Sequence, residues 1–180
     1  MKQIFVEKQK KVTYTKSGKA LICVNEKEII ENEIISYEYD TEWVQPVQKT
    51  ELSVIEALKS LVCERIKAYD ISDNVNSFNL YGNKLWIDKN TRMGLRVNIA
   101  DDILAEKETS TFWFNNNSFE APCEVVLQML IKLESYAKEC YDITQQHYLS
   151  VSQLDTIEDV FSFDITSGYP DILIFNYPCQ

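Results

Sequence analysis

The sequence predicts an α+β fold: a small N-terminal β element followed by a helical domain with two β-hairpins and one long core helix. Three observations predict it. Short β-branched and aromatic runs alternate with polar turns over the first 47 residues. Beyond them, apolar residues recur at steps of three and four, the spacing of a helix that packs one face on a core. The composition, 45% hydrophobic with only four glycines and four prolines in 180 residues, is sufficient for a core.

The N-terminal β element is predicted over residues 1–47. Its apolar runs are Ile4 to Val6, Val12 to Thr15, Ala20 to Val24 and Glu28 to Val44. The clearest turn is Ser17-Gly18-Lys19. Residues 1–20 carry six lysines and one glutamate, whereas residues 26–42 carry seven acids and one lysine. A basic strand beside an acidic one would pair well; a basic edge offered to another protein is the alternative.

A domain boundary is predicted near residue 48, because Pro46 and the polar residues 48–50 interrupt the β pattern. Residues 48–180 then form the larger α+β domain. Its first helix has an apolar face that consists of Leu52, Ile55, Leu58, Leu61, Val62 and Ile66.

The middle of this domain alternates hairpins with helices. Residues 77–87 predict a hairpin with its turn at Gly82-Asn83, and Asp88 is placed to cap a helix that runs to about Glu106. A second hairpin is predicted at 111–121, with its turn at 115–117. The core-facing stripe of the helix is predicted to be Met93, Val97, Ala100 and Leu104.

The longest periodic stretch predicts the core helix of the domain. Pro122 suits its first turn, where a missing amide is tolerated. A short helix at 156–161, a turn-rich stretch at 164–170 and an apolar end at 172–175 follow. The apolar face of the long helix comprises Val126, Met129, Leu130, Leu133, Ala137, Cys140, Tyr141, Thr144, Tyr148 and Val151.

Composition excludes several function classes. A net charge of −10 and a pI near 4.6 argue against nucleic-acid binding, which depends on lysine and arginine. No apolar run approaches the roughly 18–20 residues of a membrane span, and the N-terminus becomes charged too early for a secretory signal. No cofactor fingerprint is present. The five scattered cysteines predict neither disulfides nor a zinc site, and are Cys23, Cys63, Cys123, Cys140 and Cys179.

Few residues suggest chemistry. His147 is the only histidine and lies on the apolar face of the long helix, where a hydrogen-bonded core residue is expected and a multi-histidine metal site is excluded. Asp88 and Arg92 stand four apart and could form an ion pair on one helix face. Asp164 suits an Asx turn. The tryptophans fill hairpin faces of the core or anchor a protein partner.

A set of motifs over residues 58–175 resembles a domain of unknown function encoded by bacteriophages and prophages, found with tail-fibre and tail-fibre-assembly genes. The N-terminal residues 37–46 are similar to leaders of such domains in phages of gut Bacteroides-like bacteria. The motifs include Val75-Asn-Ser-Phe78, Leu85-Trp-Ile-Asp-Lys-Asn-Thr-Arg92, Thr111-Phe-Trp113, Leu133-Glu-Ser-Tyr-Ala137, Thr156-Ile-Glu-Asp159 and Phe163-Asp-Ile-Thr-Ser-Gly-Tyr-Pro170.

The family has no assigned catalytic residues, so the resemblance implies context and a set of structural or interaction residues. We expect Arg92 to reach Asp164 in a bidentate pair, with His147 adding a hydrogen bond and Trp86 and Tyr169 closing the apolar side. If that pair is buried, removal of the arginine would cost about 3–5 kcal/mol. The implied set is Trp86, Asp88, Arg92, Trp113, His147, Asp164, Gly168, Tyr169 and Pro170.

The resemblance therefore favours a non-enzymatic tail protein, either a virion component at the fibre or baseplate or a fibre-assembly factor. Its expected partners are tail-fibre or baseplate proteins, its expected location the host cytoplasm during assembly or the virion tail, and a homo-oligomer stays open. One alternative is a host-glycan hydrolase, for which Asp88, Glu106, Glu134 or Asp164 would supply the paired carboxylates. Another is a small acidic regulatory binding protein.

Overall fold

The computed structural model describes residues 1–32, 34–114 and 117–176. It confirms the predicted α+β class, with four helices and several small sheets in the described part of the chain. The strands are β1 (Lys2–Phe5), β2 (Val12–Tyr14), β3 (Ala20–Glu31), β4 (Ile34–Val44), β5 (Phe78–Leu80), β6 (Asn83–Leu85), β7 (Thr109–Phe114), β8 (Asn117–Pro122) and β9 (Ile174–Phe175). The helices are α1 (Glu51–Asp70), α2 (Lys89–Leu104), α3 (Cys123–Gln153) and α4 (Ile157–Phe161).

The chain divides into two compact units. Unit 1 comprises residues 1–66 and 147–165, and unit 2 comprises residues 67–146 and the chain from residue 166 onward. The divisions in sequence therefore fall inside α1 and α3. The predicted boundary near residue 48 lies in the segment between β4 and α1, and domains of 1–47 and 48–180 stay a prediction.

Unit 1 is built on a four-stranded antiparallel sheet with strand order β1-β4-β3-β2. Gly18 makes the predicted turn with a φ of +86°. The β-prone run from Glu28 to Val44 is divided between two strands: its first four residues belong to β3, and a turn follows in which Asn32 has a φ of +49°. Asparagine tolerates that backbone, so a sharp hairpin forms inside a run without glycine or proline.

The predicted pairing of basic and acidic strands is confirmed. Lys2 Nζ lies 3.1 Å from Glu38 Oε1, and Lys8 Nζ lies 2.6 Å from Glu26 Oε1. These pairs are largely exposed, so they add little stability.

The core of unit 1 lies between this sheet and helical residues of the same unit. Ile55, Leu58, Val62 and Ile66 of α1 are buried as predicted, whereas Leu52 is exposed. The short helix predicted at 156–161 is α4, and the Thr156 side chain caps it by accepting a hydrogen bond from the backbone N–H of Asp159. The other buried members of this core are Ala20, Ile22, Val24, Val44, Val54, Val151, Ile157 and Val160.

Unit 2 contains both predicted hairpins. The β5–β6 turn has Tyr81 at φ +50° and Gly82 at φ +79°, the backbone of a tight hairpin turn, and β9 pairs in parallel with β5. In the β7–β8 hairpin, residues 115–116 of the predicted turn lie outside the described residues. Pro122 ends β8, and Cys123 begins α3. The buried residues of this core are Phe78, Leu80, Leu85, Ile87, Ile99, Phe112, Cys123, Val126, Met129, Leu130, Leu133 and Phe175.

The rotation of α2 about its own axis differs from the prediction. The stripe of Met93, Val97, Ala100 and Leu104 faces solvent, while Ile99 is buried at 2% exposure. Leu95 and Ile103 are half-buried against the same core as Ile99. The helix therefore has two apolar stripes, and periodicity alone does not say which one the core covers.

Two further sequence expectations concern the cysteines and the membrane. Cys23, Cys63, Cys123 and Cys140 are free thiols, and Cys179 lies outside the described residues. Among the helices in the described ranges, none is both long and apolar enough to cross a membrane.

The rotation of α2 predicts unequal effects for two neighbouring substitutions. Ile99→Ala should lower the free energy of unfolding by about 2–5 kcal/mol, because it opens a cavity in a packed core. Val97→Ala should change it by no more than about 0.5 kcal/mol, because the side chain is 61% exposed. Urea denaturation at low protein concentration measures both values. Equal losses would show that α2 is rotated differently.

Candidate functional site

Unit 2 contains an open groove with a volume of about 790 Å³. Residues of α2 and α3 line it, together with residues near the end of α1 and the segment that leads from β6 into α2. We refer to it as the groove. Its lining includes Trp86, Lys89, Arg96, Glu134, Lys138 and Tyr141.

Arg92 is the buried cation of the groove, with 5% of its surface exposed. Its Nε donates to Glu134 Oε2 at 3.0 Å, and its Nη1 donates to the carbonyl of Ile87 at 2.6 Å. The guanidinium carbon lies 5.2 Å from the ring centroid of Trp86, a distance that allows a cation–π contact. One side chain thus ties the start of α2 to α3 and to the segment before α2.

Arg92 pairs with Glu134 at 3.0 Å, and its expected bidentate pair with Asp164 stays a prediction. The helical ion pair between Asp88 and Arg92 is replaced by separate roles. Asp88 turns its carboxylate to the first amides of α2, which leaves the guanidinium for Glu134 and Ile87.

Asp88 caps α2 as predicted. Its Oδ1 accepts the backbone N–H of Asn90 at 3.0 Å and of Thr91 at 3.1 Å, and its Oδ2 accepts the Thr91 hydroxyl at 2.6 Å. These hydrogen bonds, that of the Thr91 hydroxyl first, lower the pKa of Asp88. The carboxylate therefore stays ionised at lower pH than a free aspartate.

Asp70 is the third carboxylate of the groove, and it ends a short hydrogen-bonded chain. The buried Thr144 donates its hydroxyl to Asp70 Oδ1 at 2.7 Å. Because that hydroxyl has one proton, it accepts from the Tyr169 hydroxyl, which lies 2.8 Å away. The Tyr169 ring packs against Tyr69 with centroids 5.3 Å apart. Tyr169 therefore packs beside residues that line the groove without lining it itself.

The free charges of the groove are positive. Asp70, Asp88 and Glu134 are all engaged within unit 2. Lys89 and Arg96 are exposed, and neither forms an ion pair with any residue that the structure describes. A chain with a net charge of −10 therefore presents a local cationic site.

Apolar surface accompanies these cations. Tyr141 is 59% exposed and Ile131 is 38% exposed, and both line the groove with Trp86. Cys140 also borders it, but burial raises the pKa of this thiol, which makes it a poor nucleophile near neutral pH. The groove combines aromatic surface with cations, a combination suited to binding.

The other predicted residues lie elsewhere. Trp113 is on β7 and 68% exposed, and Pro170 is half-buried in unit 2. Gly168 has a φ of +80°, which favours glycine. His147 is buried in unit 1 with its ring edge-on to Phe163 at 5.5 Å.

The nine residues singled out from the sequence thus separate into two groups. Unit 1 contains His147 and Asp164, and unit 2 contains the other seven. Within unit 2, Trp86, Asp88 and Arg92 meet at the groove, and Tyr169 lies behind it.

Sequence reasoning missed most of the groove. A signal existed: Lys89, Arg92 and Arg96 follow steps of three and four on α2, and Ile131, Glu134, Lys138 and Tyr141 do so on α3. Such mixed stripes are ordinary on helix surfaces, and only tertiary structure shows that these two line one groove.

Over the described ranges, no cluster of three or more histidine, cysteine, aspartate or glutamate residues is placed to hold a metal ion. Comparison of the chain with protein-family models, with curated proteins and with solved structures found no match.

The contacts of Arg92 predict a specific loss on truncation. Arg92→Ala should lower the free energy of unfolding by about 1–3 kcal/mol, because the Ile87 carbonyl loses its side-chain donor in a buried site. Glu134 is 41% exposed and can be hydrated, so the loss should be smaller than for a fully buried pair. Arg96→Ala, at an exposed position on the same helix, is the control and should change stability by about 0.5 kcal/mol or less. Equal losses for the two variants in urea denaturation would contradict this role of Arg92.

The lowered pKa of Asp88 predicts a pH-dependent stability. An unfolded aspartate titrates near about pH 3.9, so the contribution of Asp88 is fully present above that value and is lost as the pH falls through the lower folded pKa. Asp88→Asn should therefore be less stable than the wild type at neutral pH, and the difference should vanish in strong acid. Urea denaturation across this range measures it, and a difference that is constant with pH would contradict the prediction.

Proposed function

We propose that this chain is a non-enzymatic bacteriophage tail protein that acts by protein–protein contact. In this role, the groove receives a segment of a tail-fibre or baseplate protein that carries a carboxylate next to an apolar or aromatic residue. The observation that carries the proposal is the pairing of unengaged cations, Lys89 and Arg96, with the exposed aromatic surface of Tyr141. The phage context comes from the sequence resemblance over residues 58–175.

The cations explain the expected acidity of the partner. Lys89 and Arg96 hold their charges without an internal partner, so a bound carboxylate would not have to displace an existing ion pair. The aromatic groups explain the apolar neighbour, because tyrosine and tryptophan supply large contact areas at a small entropic cost. The ion pair between the buried Arg92 and the partly exposed Glu134 holds α2 and α3 together beside the groove.

The state of the carboxylates favours binding over glycoside hydrolysis. A glycosidase needs one carboxylic acid with a raised pKa as its proton donor. The pKa of Asp88 is instead lowered, and Glu134 is engaged as the hydrogen-bond partner of Arg92. Both carboxylates therefore have structural roles in unit 2.

The two forms of the proposal, virion component and assembly factor, differ in where the protein is found. Quantitative mass spectrometry of purified virions distinguishes them. A stoichiometric copy number identifies a component, whereas presence in the lysate with absence from virions identifies an assembly factor.

The proposed site predicts that charge reversal in the groove abolishes partner binding. Wild-type protein should co-elute on gel filtration with the product of the neighbouring tail-fibre gene, and Lys89→Glu/Arg96→Glu should not, because the two unengaged cations of the groove would then repel a carboxylate. The matched control is Lys67→Glu/Lys132→Glu, which makes the same charge change at exposed positions of unit 2 outside the groove. Loss of binding in both double variants would show non-specific charge attraction, and binding that persists in the first would reject the groove as the site.

A further inference from the structure

The solvent-facing stripe of α2 has the spacing of a coiled-coil seam. Its members, Met93, Val97, Ala100 and Leu104, are separated by four, three and four residues. All are exposed, with Met93 at 57%, Val97 at 61% and Leu104 at 82%. In heptad notation they occupy successive d, a, d and a positions. A helix that already packs its opposite face on a core thus presents a second apolar seam.

The opposite face of α2 accounts for its intramolecular packing. Leu95 and Ile99 contact the core of unit 2, and Arg92 pairs with Glu134. Asp102 accepts hydrogen bonds from Lys107 at 2.7 Å and Ser110 at 2.8 Å. Folding of the single chain therefore uses one side of α2 and leaves the seam uncovered.

The charged residues beside the seam indicate which molecule would pack on it. Arg96 occupies the g position before Val97, and Asp101 occupies the e position after Ala100, five residues further on. In a parallel two-stranded pair, a g residue contacts the e residue of the partner that lies five positions later. Arg96 of one copy would therefore meet Asp101 of the other, twice by symmetry. An antiparallel pair would instead bring arginine near arginine and aspartate near aspartate.

Both charged residues are available for this contact. Arg96 and Asp101 are exposed, and neither pairs with another residue in the described part of the chain. Asp102, the neighbour of Asp101, is by contrast engaged within its own unit. Gly94 gives independent support, since a Cβ there would meet nothing within 4 Å in its own chain. In a parallel pair it faces Lys89 of the second copy and leaves room for the lysine stem.

We propose that a second copy of this chain docks on α2, so that two α2 helices pair in parallel along the seam. The two helices are related by two-fold symmetry and bury the four apolar residues of each copy. Arg96 of each copy forms an ion pair with Asp101 of the other. Two heptads are too short for a coiled coil of free peptides, but α2 is already folded on its own unit, so association does not bear the cost of helix nucleation. The interface is at the small end of specific interfaces, below about 1,200 Å², so the dimer should be reversible.

Sedimentation velocity over a range of concentrations tests the seam. The wild type should shift from the 21.0 kDa monomer to twice that mass as concentration rises. Val97→Glu places two carboxylates in the seam and should weaken association at least about tenfold, that is, by about 1.4 kcal/mol. Val47→Glu makes the same substitution at a 95% exposed valine outside α2 and should behave as the wild type. A wild type that stays monomeric, or a Val97→Glu variant that dimerises normally, would overturn the proposal.

Charge exchange tests the parallel orientation. Arg96→Glu and Asp101→Arg should each weaken the dimer, and the variant with both changes should recover wild-type association, because the ion pair is restored in reversed order. Circular dichroism checks that each variant keeps its helix content. Failure of the double variant to recover would overturn the parallel pairing. The two proposals share Lys89 and Arg96, but the groove test measures co-elution with the tail-fibre protein. The seam test measures self-association through Val97, which does not line the groove, so the two proposals can fail separately.

Discussion

The buried guanidinium group of Arg92 joins α2, α3 and the segment before α2 in unit 2. Arg92 cannot lose its charge, so a site that removes it from water must supply hydrogen-bond acceptors. Glu134 of α3 and the carbonyl of Ile87 do so, and the Trp86 ring covers the group. These contacts set the rotation of α2, from which both the groove and the outward seam follow.

The groove shows how an acidic chain can present a cationic site. Its carboxylates are used inside the unit, one as a helix cap, one as the partner of Arg92 and one as an acceptor for Thr144. The groups of the groove that are left to contact a ligand are cations and aromatic side chains. That balance argues for recognition of a protein segment, and the lowered pKa of Asp88 argues against a role as a general acid.

The sequence predicted those turns, helix caps and helix faces that depend only on residues close together in the chain. The hairpin turn at Gly82, the Asp88 cap and most of the apolar face of α3 are each specified by a few neighbouring residues and are present. The turn is centred one residue earlier than predicted, on Tyr81 and Gly82, and Tyr141, predicted on the apolar face, is 59% exposed. The errors concern features that depend on contacts between residues far apart in the sequence. Two apolar stripes compete on α2, and the choice depends on where Arg92 finds acceptors. Glu134 looked like any other surface acid, because its partner is 42 positions away in sequence.

The rotation of α2 is tested most directly by oxidation of the three native methionines with dilute peroxide, followed by peptide mass spectrometry. In dilute protein, Met93 should oxidise about as fast as the exposed Met1, and the buried Met129 much more slowly. As protein concentration rises, Met93 alone should become protected. Protection of Met93 to the level of Met129 in dilute monomer would contradict this account of α2, of the groove beside it and of its seam.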